Sequence, residues 1–346
     1  MGKKERINYL EDYLASENND DAESRSNAKF YFEYLKARQK EPKRVCRLVS
    51  NVASTETQLV CLLLDPKHLR GYGLAVQLNG KKANLMLDTG AGGILVDRGI
   101  AEKAGITKLS ETRVGGIGDK GTNPGWIGLA SSIKVGNLEF KDCPVYVLEK
   151  RSVMGEDGLI GADVFSDFMV DIDFPNEKLR LKELPTRPDE APRVPELKTE
   201  TADADSPEDP SDSEHQPTDA AKAPPRSGPF DRYIAPEMKS YTPVYRFGHD
   251  LLVPTKIGDV PNKLFLLDTG AFTNQITPAA AREITKVHGD DTIVKGLSGS
   301  VKKVYSADKA ILQFGHLRQE NQDLLSFDLT SVSDNEGTEV SGHSGS

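Results

Sequence analysis

One short sequence occurs twice in this chain of 346 residues. LMLDTGAGG surrounds Asp88, and FLLDTGAFT surrounds Asp268 about half a chain length later. In each copy, apolar residues lead into Asp-Thr-Gly-Ala, which predicts a buried β-strand that enters a tight turn with the carboxylate at its tip. A repeat of this period predicts two related lobes rather than a solenoid of short units.

Matching features flank the two copies. A turn signal at Asn79-Gly80 precedes the first copy, and a similar signal precedes the second, so each motif is expected to follow a β-hairpin. Short helical patterns follow at residues 97–104 and 278–286. Thr277 is the expected N-cap of the second, with proline at its first helical position.

A glycine-rich segment follows each helical pattern at a nearly equal distance from the repeated aspartate. Glycine-rich hairpin tips bend easily and let the backbone approach a ligand closely. We therefore predict a pair of flaps over a cleft, with two plain loops as the alternative. The predicted flap residues are Gly115, Gly116, Ile117 and Gly118 in the first half and Gly296, Leu297, Ser298 and Gly299 in the second.

Two aspartates at the tips of repeated turns form a candidate catalytic pair. Carboxylates a few ångström apart cannot both ionise cheaply, so the pair would hold one shared proton. One carboxylate could take a proton from a water that attacks a peptide carbonyl, while the other donates to the carbonyl oxygen and assists the leaving amine. This chemistry needs no metal, no cofactor and no covalent nucleophile. A lone Asp-Thr-Gly would indicate a surface turn, but two copies with apolar lead-ins favour the pair.

The chain resembles the retropepsin-like aspartic peptidases of the pepsin and retropepsin superfamily, particularly the bacterial tandem two-lobe type. The resemblance rests on the two Asp-Thr-Gly-Ala strands, on VGGIG at residues 114–118 and on GLIGADVF at residues 158–165. It implies an all-β fold with two related retropepsin-like acid-protease barrel lobes. It also implies an aspartic-type endopeptidase, a hydrolase that binds an extended polypeptide beneath the flaps as an added strand.

The same resemblance assigns roles to the residues around the repeated motif. Asp88 and Asp268 are the implied catalytic pair, the threonines after them bond across the lobe junction, and the following glycines let the two loops approach. The apolar-apolar-glycine element at residues 159–161 lies behind the first catalytic loop. The implied supporting residues are Thr89, Gly90, Ala91, Thr269, Gly270, Ala271, Leu159, Ile160 and Gly161.

The residue after each Asp-Thr-Gly affects the expected pH range. It is Ala91 or Ala271 here, whereas pepsin-like enzymes often carry a hydroxyl at this point. Without that donor to the ionised carboxylate, the pair is expected to titrate higher and to work at milder acidity. A rate maximum below about pH 3 would contradict this expectation.

The second half ends differently from the first. Aligning the halves sets residues 343–345, His-Ser-Gly, against the Leu-Ile-Gly of residues 159–161. No later residues match the roughly twenty that complete the first lobe, so the second lobe is expected to be truncated, completed by another molecule or degenerate. Two alternatives therefore stay open. The first lobe could work as a homodimer in which Asp88 acts with its copy, or the chain could be a non-catalytic peptide-binding module.

Composition predicts four parts. Residues 1–43 have a helical pattern, and residues 44–184 and 230–346 carry the two lobes. Half of the chain's 20 prolines lie in residues 185–229, together with acidic runs such as TETADADSPEDPSDSEHQPTD. Such a segment cannot bury enough apolar surface to fold, which predicts a disordered linker. Lobe pairing within one chain would then depend on the interface itself.

The cysteines and the single tryptophan are expected to have structural roles. Cys46, Cys61 and Cys143 are odd in number and widely spaced. This favours buried thiols over a disulfide framework, a zinc site or a cysteine nucleophile. Trp126 follows the first flap and is expected to pack in the core or against the flap rather than to form a substrate platform.

Charge and hydropathy limit the partners. A net charge of −9 without a basic stripe argues against nucleic acid. No apolar run is long enough for a transmembrane helix, and the N-terminal residues lack the apolar core of a secretory signal, so no membrane partner is expected. Localisation stays open, although the resemblance points to exported bacterial proteins. The expected partner is a polypeptide substrate, with the lobes paired within the chain or between two copies.

Overall fold

The computed structural model describes residues 3–16, 22–37, 46–149, 157–184, 236 and 239–345. The described residues of both lobes, within Met1–Glu183 and Thr242–Ser346, belong to one compact unit. Strands make up 52% and helices 17% of the structure, so the predicted all-β class is confirmed. The predicted linker at residues 185–229 lies outside the described residues, and the four-part division stays a prediction.

Two helices form the N-terminal region. Helix α1 is Lys3–Ala15 and α2 is Ala22–Ala37. Arg25 joins them, because its guanidinium donates to the carbonyl oxygen of Leu14 at 2.8 Å. Among the described residues, no helix is long and apolar enough to cross a bilayer.

The first lobe is a sheet that closes on itself, because β3 pairs with both β4 and β7. The strand order is β10-β11-β2-β3-β4-β9-β5-β8-β7-β6, with β1 added on β8. Its elements are β1 (Arg47–Leu48), β2 (Ser54–Asp65), β3 (His68–Leu78), β4 (Lys81–Asp88), β5 (Ile94–Asp97), α3 (Arg98–Lys103), β6 (Thr107–Val114), β7 (Asn123–Val135), β8 (Leu138–Leu148), β9 (Gly158–Gly161), β10 (Phe168–Asp173) and β11 (Lys178–Glu183), with short 3₁₀ turns at Ala162–Phe165 and Phe174–Asn176.

The second lobe repeats this arrangement. Its strand order is β12-β13-β14-β21-β15-β20-β19-β16, and β13 pairs with both β14 and β19. Its elements are β12 (Tyr245–Phe247), β13 (Asp250–Ile257), β14 (Lys263–Leu267), β15 (Gln275–Ile276), α4 (Pro278–Arg282), β16 (Val287–Asp290), β17 (Lys295–Gly296), β18 (Gly299–Ser300), β19 (Val304–Phe314), β20 (Leu317–Ser326), α5 (Thr330–Glu336) and β21 (Gly342–Ser344).

The two lobes share one topology. The path β3-β4-β9-β5-β8-β7-β6 in the first lobe matches β13-β14-β21-β15-β20-β19-β16 in the second. In both, the strand that enters the Asp-Thr-Gly turn pairs in parallel with a short strand from the end of the lobe, β9 or β21. Two related lobes were predicted from the repeat, and this shared path confirms them.

Several predicted local signals form the expected structures. Asn79 and Gly80 make the turn between β3 and β4 with φ angles of 48° and 81°, which a tight hairpin turn requires. Asp97 caps α3 by accepting the amide hydrogen bond three residues on at 2.8 Å. Thr277 caps α4 in the same way at 3.4 Å, with proline next in the chain.

The cysteine prediction was wrong. Cys46 and Cys143, 97 residues apart, form a disulfide with a Cα–Cα distance of 4.0 Å. The physical reason is the pairing of β1 with β8, which brings the two cysteines side by side. Cys61 is free and exposed rather than buried, and its thiol lies 3.0 Å from Glu177 Oε1.

Trp126 lies in the core of the first lobe, as predicted. Only 6% of its surface is exposed, and it packs within the apolar cluster that fills the barrel. The ammonium of Lys108 lies 5.8 Å from the ring centroid. The tryptophan therefore stabilises the lobe beneath the first flap.

Candidate active site

The two repeated aspartates meet. Asp88 ends β4 and Asp268 follows β14, and their side chains are hydrogen-bonded to each other. A Cβ atom at Gly270 would lie 2.6 Å from Asp88 Cγ, and one at Gly90 would lie 2.9 Å from Asp268 Cγ. Each glycine therefore lies against the carboxyl group of the other lobe, and a larger residue there would push the carboxyl group away.

The threonines of the two motifs lock the loops together. Thr89 Oγ1 donates to the Leu267 carbonyl at 2.6 Å and accepts the Thr269 amide hydrogen bond at 3.0 Å. Thr269 Oγ1 in turn donates to the Leu87 carbonyl at 2.7 Å and accepts from the Thr89 amide at 3.1 Å. Both threonines are buried. The lobe junction at the aspartates is thus held by two reciprocal pairs of hydrogen bonds.

Backbone amides also contact the aspartates, and the two lobes differ in their number. Gly90 donates to Asp88 Oδ1 at 3.0 Å. Gly270 and Ala271 both donate to Asp268 Oδ1, at 2.9 Å and 3.1 Å. Asp268 therefore accepts one more backbone hydrogen bond than Asp88 among the bonds described.

The apolar-apolar-glycine element of the first lobe lies behind Asp88. Strand β9 pairs in parallel with β4, with Leu159 beside Met86 and Gly161 beside Asp88. Ile160 is fully buried in the barrel core. A Cβ atom at Gly161 would lie 2.2 Å from the carbonyl oxygen of Ala91, so only glycine fits behind this loop.

The equivalent strand of the second lobe carries a histidine. In β21, His343 lies beside Leu266, the position that Leu159 holds beside Met86 in the first lobe. His343 is 2% exposed, and its Nδ1 lies 3.3 Å from Asp268 Oδ2. Aligning the two halves of the sequence reveals the histidine in place of leucine. It does not reveal the contact of His343 with Asp268, because this contact depends on the parallel pairing of β14 with β21.

The pKa values of the two carboxyl groups shift in opposite directions. Burial raises the pKa of Asp88 well above its ordinary value, and the negative charge of Asp268 adds to the rise. Burial also acts to raise the pKa of Asp268, but the hydrogen bond and charge of His343, with the bonds from Asp88 and Gly270, outweigh it and lower that pKa. These directions favour a shared proton on Asp88. The expectation that the pair works at milder acidity stays a prediction.

The two predicted flap segments contact each other. Gly116 donates its amide hydrogen bond to Ser298 Oγ at 3.1 Å, and the Ser298 amide donates to the Ile117 carbonyl at 3.0 Å. A third bond joins the Lys120 amide to the Ser298 carbonyl at 2.9 Å. A Cβ atom at Gly118 would lie 2.5 Å from the backbone of Ser298, so glycine permits this approach.

Each flap tip also packs on the opposite lobe. Ile117 of the first flap contacts the apolar cluster of the second lobe, and Leu297 of the second flap contacts that of the first lobe. The first-lobe cluster is Leu62, Met86, Leu95, Leu148 and Leu159, and the second-lobe cluster is Leu252, Leu266, Phe327, Leu329 and Val340. Each flap therefore crosses to the opposite lobe.

Asp250 is a titratable group near the pair that the sequence did not reveal. It begins β13 and is 5% exposed. Burial raises its pKa to about 8, helped by the hydrogen bond and charge of Glu336 and then by the charge of Asp268. The sequence signal that could have revealed Asp250 is a charged residue directly before the apolar residues of β13.

This buried carboxyl group predicts a pH-dependent stability. Its folded pKa, about 8, lies above the ordinary value of 3.8, so its contribution is present at low pH and is lost as the pH rises through about 8. In the wild type, this group should make the free energy of unfolding fall between about pH 4 and about pH 8. In Asp250→Asn, that fall is expected to be smaller by at least about 1.4 kcal/mol. Urea unfolding across this range checks the prediction.

Asp259→Asn is the control for this experiment, because Asp259 is exposed on the turn between β13 and β14. It should keep the wild-type pH dependence. An Asp250→Asn protein with the wild-type slope would contradict the prediction.

A comparison with known families matches the first lobe. Residues 74–164 match the aspartyl protease family model. This aspartyl protease-like segment includes the Asp88 loop, the first flap and β9. The match supports an aspartyl protease-like first lobe, whereas the bacterial tandem type stays a prediction.

Relatives of known name match the chain over about a third of its length. The UBA domain-containing protein Mud1 of Schizosaccharomyces pombe is 36% identical over 115 residues, 32% of this chain and 33% of that protein. The DNA damage-inducible protein 1 of Neurospora crassa is 32% identical over 108 residues, 31% of this chain and 24% of that protein. The chain thus spans a third or less of the length of these relatives.

Two solved structures are similar to part of the chain. A retropepsin-like aspartic protease from Rickettsia conorii has 17% identity and a TM-score of 0.28, covering 39% of this chain and 97% of its own. The EIAV protease in complex with the inhibitor HBY-793 has 18% identity and a TM-score of 0.23, covering 31% of this chain and 93% of its own.

Proposed function

We propose that this chain is an aspartic endopeptidase that hydrolyses peptide bonds with a water activated between Asp88 and Asp268. The observation that carries the proposal is the pair of facing carboxyl groups on two Asp-Thr-Gly loops, which reciprocal threonine hydrogen bonds hold together. The aspartyl protease match over residues 74–164 supports it.

The geometry supports distinct roles for the two aspartates. Ionised Asp268 takes a proton from the water, and the water oxygen attacks the peptide carbonyl carbon. Protonated Asp88 donates its proton to the carbonyl oxygen. When the intermediate collapses, the carbon–nitrogen bond breaks, the amine takes the proton from Asp268, and Asp88 recovers its proton from the hydroxyl. Each aspartate returns to its starting state.

The lobes are proposed to pair within one chain. Both aspartates and both threonines of the junction belong to the same molecule, which supports this pairing over the homodimer of first lobes. The crossed flaps contribute backbone groups above the pair, and a polypeptide substrate would bind beneath them as an added strand.

The experiment that tests the proposal is cleavage of an unfolded protein between about pH 3 and about pH 8 by the purified chain and by Asp88→Asn. Cleavage by the wild type is expected to fall by at least about 10²-fold in the variant, because the acid is lost. Asp259→Asn, on an exposed turn, is the control and should cleave normally. Peptide binding without cleavage at any pH would instead support the non-catalytic binding module.

A further inference from the structure

The Asp-Thr-Gly-Ala motif recurs in both halves of the candidate site, and the threonine bonds are reciprocal. The short strands behind the two motifs differ, because His343 of β21 holds the position of Leu159 in β9. A leucine packs there in an apolar cluster, whereas the imidazole contacts a carboxyl group.

Asp268 faces more hydrogen-bond donors than Asp88 does. Asp268 Oδ1 accepts from the amides of Gly270 and Ala271, and Asp268 Oδ2 faces His343 Nδ1 at 3.3 Å. Asp88 Oδ1 accepts from the Gly90 amide. Donors favour the charged form of the carboxyl group that they contact. This geometry therefore favours ionised Asp268 and a protonated Asp88 that faces it.

Other titratable groups lie near the pair. Asp250 acts on both aspartates and interacts with Glu336, and His249 Nε2 lies 3.5 Å from Asp250 Oδ1. Where it is ionised, above about pH 8, Asp250 would oppose ionisation of either member of the pair. His343 opposes this effect, and it does so at Asp268 only.

A buried imidazole is costly unless its polar atoms are satisfied. His343 is 2% exposed, and its Nε2 has no hydrogen-bond partner among the described residues. The first lobe avoids this cost with leucine at the same position. In the second lobe, the contact of His343 Nδ1 with Asp268 offsets part of this cost.

We propose that His343 is a positioning residue that assigns the two roles of the pair, holding Asp268 as the ionised base and leaving the proton on Asp88. This inference rests on the proposed function. His343 contacts Asp268 and acts through it.

The matched variants are His343→Leu, which introduces the residue of the first lobe, and His343→Asn, whose amide keeps a donor near the position of Nδ1. In His343→Leu, the acid limb of the pH profile of kcat is expected to move to higher pH by about one unit or more, because the base has lost its donor. The KM should change little. His343→Asn should keep most of the wild-type profile. Equal profiles for wild type and His343→Leu, or equal shifts in both variants, would overturn the proposal.

A second measurement does not depend on cleavage. The ¹³C-labelled aspartate carboxyl signals can be followed against pH in the wild type and in His343→Leu, with the two signals assigned from Asp88→Asn and Asp268→Asn. The Asp268 signal is expected to ionise at higher pH in His343→Leu than in the wild type. An unchanged Asp268 titration would overturn the inference. The expected shift in a protein that cleaves nothing would support His343 and reject the peptidase.

Discussion

Asp268→Asn is expected to abolish cleavage as completely as Asp88→Asn, with a loss of about 10²–10⁴-fold in kcat/KM for either variant. Each carboxyl group performs a different proton transfer, so neither can replace the other. The asparagine keeps the size of the side chain, and the threonine bonds of the junction remain. Peptide cleavage by the two variants at matched protein concentrations checks this result.

The same pair of variants decides how the lobes associate. If the first lobe works as a homodimer, Asp268→Asn stays active and its specific activity rises with concentration. If the lobes pair within one chain, both variants are inactive alone and remain inactive when mixed. Recovery of activity on mixing would show that lobes exchange between molecules, and it would contradict pairing in one chain.

Thr269→Val is expected to lower the free energy of unfolding by about 2–6 kcal/mol, because it leaves two buried backbone groups without partners at about 1–3 kcal/mol each. These groups are the Leu87 carbonyl and the Thr89 amide, bonded to Thr269 Oγ1 at 2.7 Å and 3.1 Å. Valine has nearly the same shape, so the loss reports the hydrogen bonds rather than packing. Equilibrium urea unfolding measures it.

Thr255→Val is the matched control for this prediction. Thr255 is also fully buried in the second lobe, but its hydroxyl donates within its own strand, to the Val253 carbonyl at 3.1 Å. Its loss should cost about 1 kcal/mol. Thr89→Val should resemble Thr269→Val, because the Thr89 hydroxyl also bonds one carbonyl and one amide across the junction. Equal losses for Thr255→Val and Thr269→Val would contradict a special role for the junction.

The parts of this structure that the sequence predicts are those with local causes. Alternation and turn chemistry suffice for the Asn79 turn, for the Thr277 cap and for the two strands that enter Asp-Thr-Gly. The repeat itself predicts that two similar lobes exist. These features involve residues that are close in the chain, so propensity and pattern decide them.

The features that the sequence did not predict depend on long-range pairing. The Cys46–Cys143 disulfide needs β1 to lie on β8. The contact of His343 with Asp268 needs β21 to lie beside β14 in one register. The raised pKa of Asp250 needs the burial of its carboxyl group, and Glu336, from a distant segment, adds to the rise. In each case the interacting groups come from distant segments, and burial or register decides the outcome.

The crossing of the flaps has a kinetic consequence. Lifting one tip alone would break its contacts with the other, because Ser298 is bonded to Gly116 and Ile117 and each tip holds an apolar contact on the opposite lobe. We therefore expect both hairpins to move together when the site opens. A polypeptide would then enter through a gate with a single opening rate, and that rate would limit turnover whenever the chemistry beneath it is faster.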